Sequence, residues 1–438
     1  MDMQSFLEGR ILDAARVDDV AQYIESGDVE CIRGIQDGKC MRCLNEDRAY
    51  FYTFHCAVCN GACTYCRKCI QLGRVSSCTT LIRWRGQRTE RPTNHTLVPL
   101  HLSDAQERAS DELIDSLTAR RNHLLHAVCG AGKTEILFQP VLHALQQQQR
   151  VCIATPRTDV VLELYPRLQQ AFPNTFVQAL YGGADVEQRF SPLIVATTHQ
   201  LLRFEAAFDV IIVDEADAFP YTYDAMLQRA VNKAKTSEAP VAFVTATPSD
   251  KLLAQCKKER WGYSFLPRRY HGHLLPVPRI VVVRRLQKQL AQSKLPKALH
   301  DWLQQRLTKR EPFLLFLPTI ALIEQCLPLI QSVVPQVEAV HAEDEERKEK
   351  VLKLRGGELQ GLVTSTILER GITITNVQVA VVCADDAIFD AGALVQISGR
   401  VGRHKQYASG DIAFFAESIT IAMDAAIADI KRLNTVVV

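Results

Sequence analysis

No apolar run in the 438 residues approaches the ~20 needed to cross a bilayer, which excludes a membrane-spanning helix. The start, Met1-Asp2-Met3-Gln4-Ser5-Phe6, lacks the basic end and apolar core of a secretory leader, so a cytosolic protein is expected. Thiols stay reduced there, and the cysteines then read as metal ligands or buried apolar residues rather than disulfides. An excess of one charge is also missing. Lys+Arg number 51 against 49 Asp+Glu, a net charge of +2, so any nucleic-acid surface must be local. Low-complexity tracts are few and hydrophobic residues make up 47%, as in a globular chain whose length suits roughly two to four domains.

What is present centres on His126-Ala127-Val128-Cys129-Gly130-Ala131-Gly132-Lys133-Thr134. The apolar run 123–128 predicts a buried strand, and helical spacing resumes at Thr134-Glu135-Ile136-Leu137-Phe138. Strand, small-residue loop and helix are the context of a phosphate-binding loop, although Ala127 stands where the usual pattern has its first glycine. Gly130, Ala131 and Gly132 let backbone N–H groups approach the phosphates of ATP at a helix N-terminus. Lys133 suits the β- and γ-phosphates, and the Thr134 hydroxyl suits Mg²⁺. Upstream, Ser103 is a candidate N-cap, and Gln106 offers an amide for an adenine edge.

Past the loop, strands and helices alternate. Apolar runs at 151–155, 193–197, 210–213 and 241–245 each end in polar residues, the pattern of a parallel sheet covered on both faces. The third ends in Asp214-Glu215, an acid placed to organise Mg²⁺ and a carboxylate placed to act on water. A second unit follows, with strands expected at 313–317, 337–341 and 362–366 and no second phosphate loop. It carries Gln396-Ile397-Ser398-Gly399-Arg400-Val401-Gly402-Arg403. Arg400 and Arg403, spaced i and i+3, are expected to share a helix face and to serve as arginine fingers for the γ-phosphate.

Eight of the fourteen cysteines lie between Cys40 and Cys78. Cys-x-x-Cys turns at Cys40/Cys43, Cys56/Cys59 and Cys66/Cys69, with Cys63 and Cys78, provide ligands for Zn²⁺ at one site or two. An interleaved pair of sites would use Cys40, Cys43, Cys66 and Cys69 for one ion, and Cys56, Cys59, Cys63 and Cys78 for the other. So small a segment would depend on the metal to fold, apart from the core that carries the phosphate loop. A basic stretch follows, from Arg67 to Arg91. Arg83-Trp84-Arg85 suits single-stranded DNA, cations on phosphates and indole under a base; a solvated strand with Trp84 packed on the zinc module is the alternative.

The phosphate loop, Thr155-Pro156-Arg157, Asp214-Glu215-Ala216-Asp217 and Thr245-Ala246-Thr247 resemble superfamily 2 helicases of the DEAD type. The 396–403 stretch resembles their sixth motif. With the cysteine module, Phe208-Asp209, Asp217-Ala218-Phe219-Pro220 and Thr366-Ile367-Leu368-Glu369-Arg370-Gly371, the resemblance narrows to the ComFA family of competence ATPases over residues 31–416. Helicases of the PriA type share the motor, but their cysteines interrupt the second lobe. The ComFA resemblance implies an α/β chain with two tandem RecA-like domains, 96–285 and 286–438, behind an N-terminal region, 1–95, bearing the zinc module. It implies a motor for single-stranded DNA at the cytoplasmic face of the uptake channel, with ComEC, ComFC and DprA as partners. It further implies nucleotide roles for Gln396 and Gly371, DNA-backbone contacts from Thr155, Arg157, Thr198, Thr319 and Thr364, and coupling by Thr245 and Thr247. An RNA-remodelling DEAD-box ATPase, a PriA-like DNA replication/repair helicase and a nucleotide-switched scaffold are the competing expectations.

Overall fold

The computed structural model describes residues 3–18, 20–185, 187–369 and 373–436. The chain forms two compact units, residues 1–126 with 134–265, and residues 127–133 with 266–438.

In the first unit, a seven-stranded sheet runs in the order Val177–Leu180, Leu193–Thr197, Val151–Thr155, Val210–Asp214, Val241–Thr245, His123–Ala127, Gly262–Leu266. The registers from Val177–Leu180 through to His123–Ala127 are parallel. Every residue of Val151–Thr155, Leu193–Thr197 and Val210–Asp214 is buried, as nearly continuous apolar runs in a sheet covered on both faces require. Parallel pairing sends the C-terminal ends of the strands to one edge. The phosphate loop, Asp214 and Thr245 therefore leave the sheet on the same side.

The N-terminal residues form a three-stranded antiparallel sheet with Thr80–Trp84 in the middle, flanked by Ile11–Asp13 and Val29–Arg33. Beside it stands the hairpin Phe51–Cys56 and Gly61–Cys66. This region is not an independent body. Cys40, Cys43, Cys66, Cys69, Val75 and Leu81 belong to one buried cluster with Leu201, Phe204, Phe208, Ile211 and Leu227 of the sheet domain. The expectation that this segment stands apart from the core behind the phosphate loop is corrected accordingly: its apolar residues, too few to close a core of their own, join that of the neighbouring sheet.

The second unit holds a six-stranded sheet in the order Arg279–Val282, Ile412–Ala416, Gln378–Val382, Phe313–Phe316, Gly361–Thr364, Val337–Val340, all in parallel register. Leu286, Leu299, Trp302 and Ile323 pack with Phe313, Leu315 and Phe415 as its core. Two parallel sheets of this kind make the tandem RecA-like architecture. No helix among the described residues is long and apolar enough to span a membrane.

Candidate nucleotide site and metal centres

The loop between His123–Ala127 and the helix Lys133–Gln146 turns at Gly130 (φ 83°) and Gly132 (φ 78°), left-handed positions that favour glycine. Lys133 and Thr134 open the helix, where backbone N–H groups have no intrahelical acceptor. The sheet places Asp214 at the end of its strand, 7% exposed, and its Oδ1 accepts the Glu215 N–H at 2.9 Å. Glu215 itself has φ 54°, a strained value for a non-glycine residue of the kind that collects at functional sites. On the adjacent strand, Thr245 Oγ1 accepts the Thr247 N–H at 3.0 Å, and the Thr247 hydroxyl donates to Asp217 Oδ2. Asp217 was missed as a site residue, although it closes the quoted acidic motif.

Gln106 sits in the first turn of the helix Asp104–Thr118. Its side-chain oxygen accepts the Ser103 N–H at 2.9 Å, and Ser103 Oγ accepts the Gln106 N–H at 3.4 Å. This capping box fixes which way the amide points.

In the second unit the helix Ala391–Ser398 ends before Arg400. Arg400 is 4% exposed, and Arg403 lies beyond Gly402 (φ 74°) with its Nε donating to the Gly399 carbonyl at 2.9 Å. The two arginines thus occupy a turn and do not share a helix face, because two glycines within four residues stop the helix. Gln396 is buried in the last helical turn. Gly371 lies outside the described residues.

Of the strand-end residues, Thr155, Thr198 and Thr364 are wholly buried, whereas Arg157 is half-buried and Thr319 exposed. Thr319 caps the helix Ile320–Gln331 by accepting the Leu322 N–H.

The Arg83-Trp84-Arg85 stretch spans the end of the middle strand of the N-terminal sheet. Arg83 pairs with Glu30 at 2.8 Å and Glu205 at 2.7 Å, and Arg85 pairs with Glu30 at 2.6 Å. The two guanidinium groups pull the Glu30 carboxyl down to about 2. Trp84 packs edge-on against Tyr23 and donates to the Gln87 carbonyl. Both charges are engaged inside the first unit, and Trp84 packs with the Met3, Phe6, Val17 and Val29 cluster, apart from the cluster that holds the buried cysteines.

Eight cysteines come together as two groups, Cys40, Cys43, Cys66, Cys69 and Cys56, Cys59, Cys63, Cys78, each with its sulfurs within 4.8 Å. A tetrahedral zinc with Zn–S bonds of about 2.3 Å needs sulfurs about 3.8 Å apart. The Cys40–Cys69 and Cys43–Cys66 separations of 3.8 and 3.6 Å meet that requirement, as does Cys56–Cys78 at 3.6 Å. The first donor set fits the ion; the second has the same four thiols, with Cys59 and Cys63 closer together, at 3.1 Å. Around the first group, Arg42 donates to Cys69 Sγ at 3.2 Å and to the Cys69, Leu72 and Gly73 carbonyls, a fork that orients the thiolate loop. The first group is buried throughout; in the second, Cys59 and Cys78 are exposed.

Residues 1–83 match the competence protein ComFA N-terminal domain, 103–255 the DEAD/DEAH box helicase family and 294–405 the helicase conserved C-terminal domain. The chain is 43% identical over 400 residues to competence protein ComFA of Bacillus subtilis, covering 90% of this chain and 85% of that one. Its identity to competence protein ComFA of Streptococcus pneumoniae is 36% over 385 residues, covering 84% and 85%. Its fold resembles that of S. cerevisiae Dbp5 bound to RNA and ADP BeF3, with a TM-score of 0.58 at 17% identity over 76% of this chain and 88% of that one.

Proposed function

The chain belongs to the ComFA family of competence proteins, and from that membership we propose that it is an ATP-driven motor moving single-stranded DNA during natural competence. It is a superfamily 2 ATP-dependent helicase/ATPase, and its helicase domains imply ATP, Mg²⁺ and a nucleic-acid ligand. In the proposed cycle, the 130–134 loop binds the phosphates, with Lys133 on their charge, Thr134 and Asp214 holding Mg²⁺ and Glu215 acting on the attacking water. Gln106 reads the adenine edge. Arg400 and Arg403, with Gln396 and Gly371, supply the second unit's contribution to the terminal phosphate.

The observation that carries the motor reading is the Thr247–Asp217 hydrogen bond. It joins the acidic motif to Thr245-Ala246-Thr247, so a change around the phosphates moves a second strand end along the same sheet edge. On that edge Arg157, and in the second unit Thr319, have the exposure to meet a DNA backbone, and backbone contacts impose no sequence preference. Thr155, Thr198 and Thr364 would act from beneath, by shaping the strand ends.

The two cysteine groups would hold zinc, a redox-inert ion that fixes the geometry of four thiolates. ComEC, ComFC and DprA are the proposed partners, at the inner face of the cell membrane. Steady-state ATPase with single-stranded DNA, single-stranded RNA or neither tests the reading. Stimulation by DNA alone supports it, and stimulation by RNA alone would replace it with an RNA-remodelling ATPase.

A further inference from the structure

Arg269 lies three residues beyond the last strand of the first sheet, in the segment that runs beside the phosphate loop. Two backbone bonds fix that segment: the Val128 N–H donates to the Leu266 carbonyl at 3.1 Å, and the Tyr270 N–H donates to the Gly130 carbonyl at 3.1 Å. The Arg269 side chain covers Gly130. A Cβ on that glycine would meet Arg269 Cγ and Cδ at 3.5 Å and Nε at 3.6 Å. On its other side, Nη1 packs against Gly402, a residue of the same compact unit.

The guanidinium is 2% exposed, yet Nε, Nη1 and Nη2 all lack a hydrogen-bond partner among the described residues. Other deeply buried arginines differ. Arg10 reaches Gln178 at 3.0 Å, Arg150 reaches the Glu8 and Ser191 carbonyls, and Arg306 pairs with Glu311 at 3.2 Å. Even the adjacent Arg268 donates to the Val436 carbonyl at 3.0 Å. A buried cation with five donors and no acceptor is costly, and Arg403 is the charged neighbour that most disfavours it. Burial and that like charge draw the guanidinium down to about 10. An anion delivered to the loop would remove the cost, since planar N–H forks match phosphate oxygens.

We propose that Arg269 is a nucleotide ligand, donating to the terminal phosphate of the ATP held by the loop. The assignment rests on ATP binding at residues 130–134, and it adds a cation from outside both the loop and the 396–403 turn. Its place against Gly402 and beside Arg403 favours the terminal phosphate over the two that ADP retains.

The test is Arg269→Met in the full chain, read by thermal unfolding without nucleotide and by binding of a non-hydrolysable ATP analogue and of ADP. Unfolding without ligand should be unchanged or raised, because the variant removes an unpaired buried charge. Analogue affinity should fall about 10- to 100-fold, as for loss of hydrogen bonds to a charged group, with ADP affinity within about 3-fold of wild type. Wild-type analogue affinity in the folded variant would overturn the proposal. Equal losses for both nucleotides would overturn the assignment to the terminal phosphate. Arg269→Lys, which keeps charge without the fork, should give an intermediate loss and serves if the methionine variant does not fold. Lys133→Ala is measured in parallel: if it weakens analogue binding and Arg269→Met does not, the role of Arg269 fails and the loop reading stands; if neither weakens it, the loop reading fails as well.

Discussion

The Thr247 hydroxyl donates to the Asp217 carboxylate at 2.5 Å, across the ends of two neighbouring strands. Thr247→Ala leaves that carboxylate without the donor while the residues around the phosphates stay in place. Basal ATPase is expected within about 3-fold of wild type, and DNA-driven stimulation or strand displacement is expected to fall at least about 10-fold, the weight of one charge-assisted bond. Equal losses in both assays would assign the pair to chemistry rather than coupling.

Lys133→Ala and Glu215→Gln are both expected to abolish turnover, by different routes. Lys133 holds phosphate charge, so nucleotide binding weakens with it. The glutamine variant keeps nucleotide affinity, and its stalled complex should retain DNA. Fluorescent-nucleotide titration and a DNA mobility assay separate the two cases.

Arg403→Ala in the full chain should leave ATP binding near wild type and remove DNA-stimulated hydrolysis. Arginine fingers are worth roughly 10³–10⁵ in rate in related NTPases. A stimulated rate that survives the substitution removes Arg403 from the reaction.

Metal analysis of reduced protein should find about two zinc ions per chain, one per cysteine group. Cys40→Ala removes a ligand from a group that shares its core with the first sheet. Loss of roughly 3 kcal/mol would lower the unfolding midpoint by about 6–12 °C. Basal ATPase should decline in step. An unchanged midpoint with one zinc missing would show the core to be independent of the metal.

His123, buried in the strand that leads to the phosphate loop, bonds Ser116 at 2.9 Å and Ser264 at 3.0 Å. Desolvation draws its imidazolium down from 6.5 to about 4. Below the unfolded value the unfolded chain binds a proton that the folded chain refuses. The contribution is therefore fully present above pH 6.5 and lost as pH falls toward about 4, with a slope of up to about 1.4 kcal/mol per pH unit. Denaturant titrations between pH 7.5 and pH 5 should show a flatter decline for His123→Gln. Identical slopes would exclude this histidine.

Five of the seven strands of the first sheet and three of the six of the second were legible, most of them as apolar runs with polar ends, as at Val210–Asp214; strands such as Gly262–Leu266 and Arg279–Val282, with polar residues of their own, were not. The loop and the acidic motif were legible for the same reason: backbone sterics and metal charge demand those residue types in that order. Long-range pairing was not. Arg83 meets Glu30 and Glu205, which lie 53 and 122 residues away, so a charge that looks solvated along the chain is neutralised in space. The expected shared face of Arg400 and Arg403 failed because spacing alone does not register that Gly402 takes a left-handed turn. Arg269 carried no local signal at all, since its burial comes from segments far apart along the chain.

The strand order has a consequence for biosynthesis. His123–Ala127 sits between Val241–Thr245 and Gly262–Leu266, so both of its hydrogen-bonding neighbours are made more than a hundred residues after it. A nascent chain halted before residue 241 holds every residue of the phosphate loop but neither strand that clamps it. ATP cannot act as a folding ligand for such a chain. Fragments released early from the ribosome would present an unpaired apolar strand to chaperones and proteases, not a half-built enzyme.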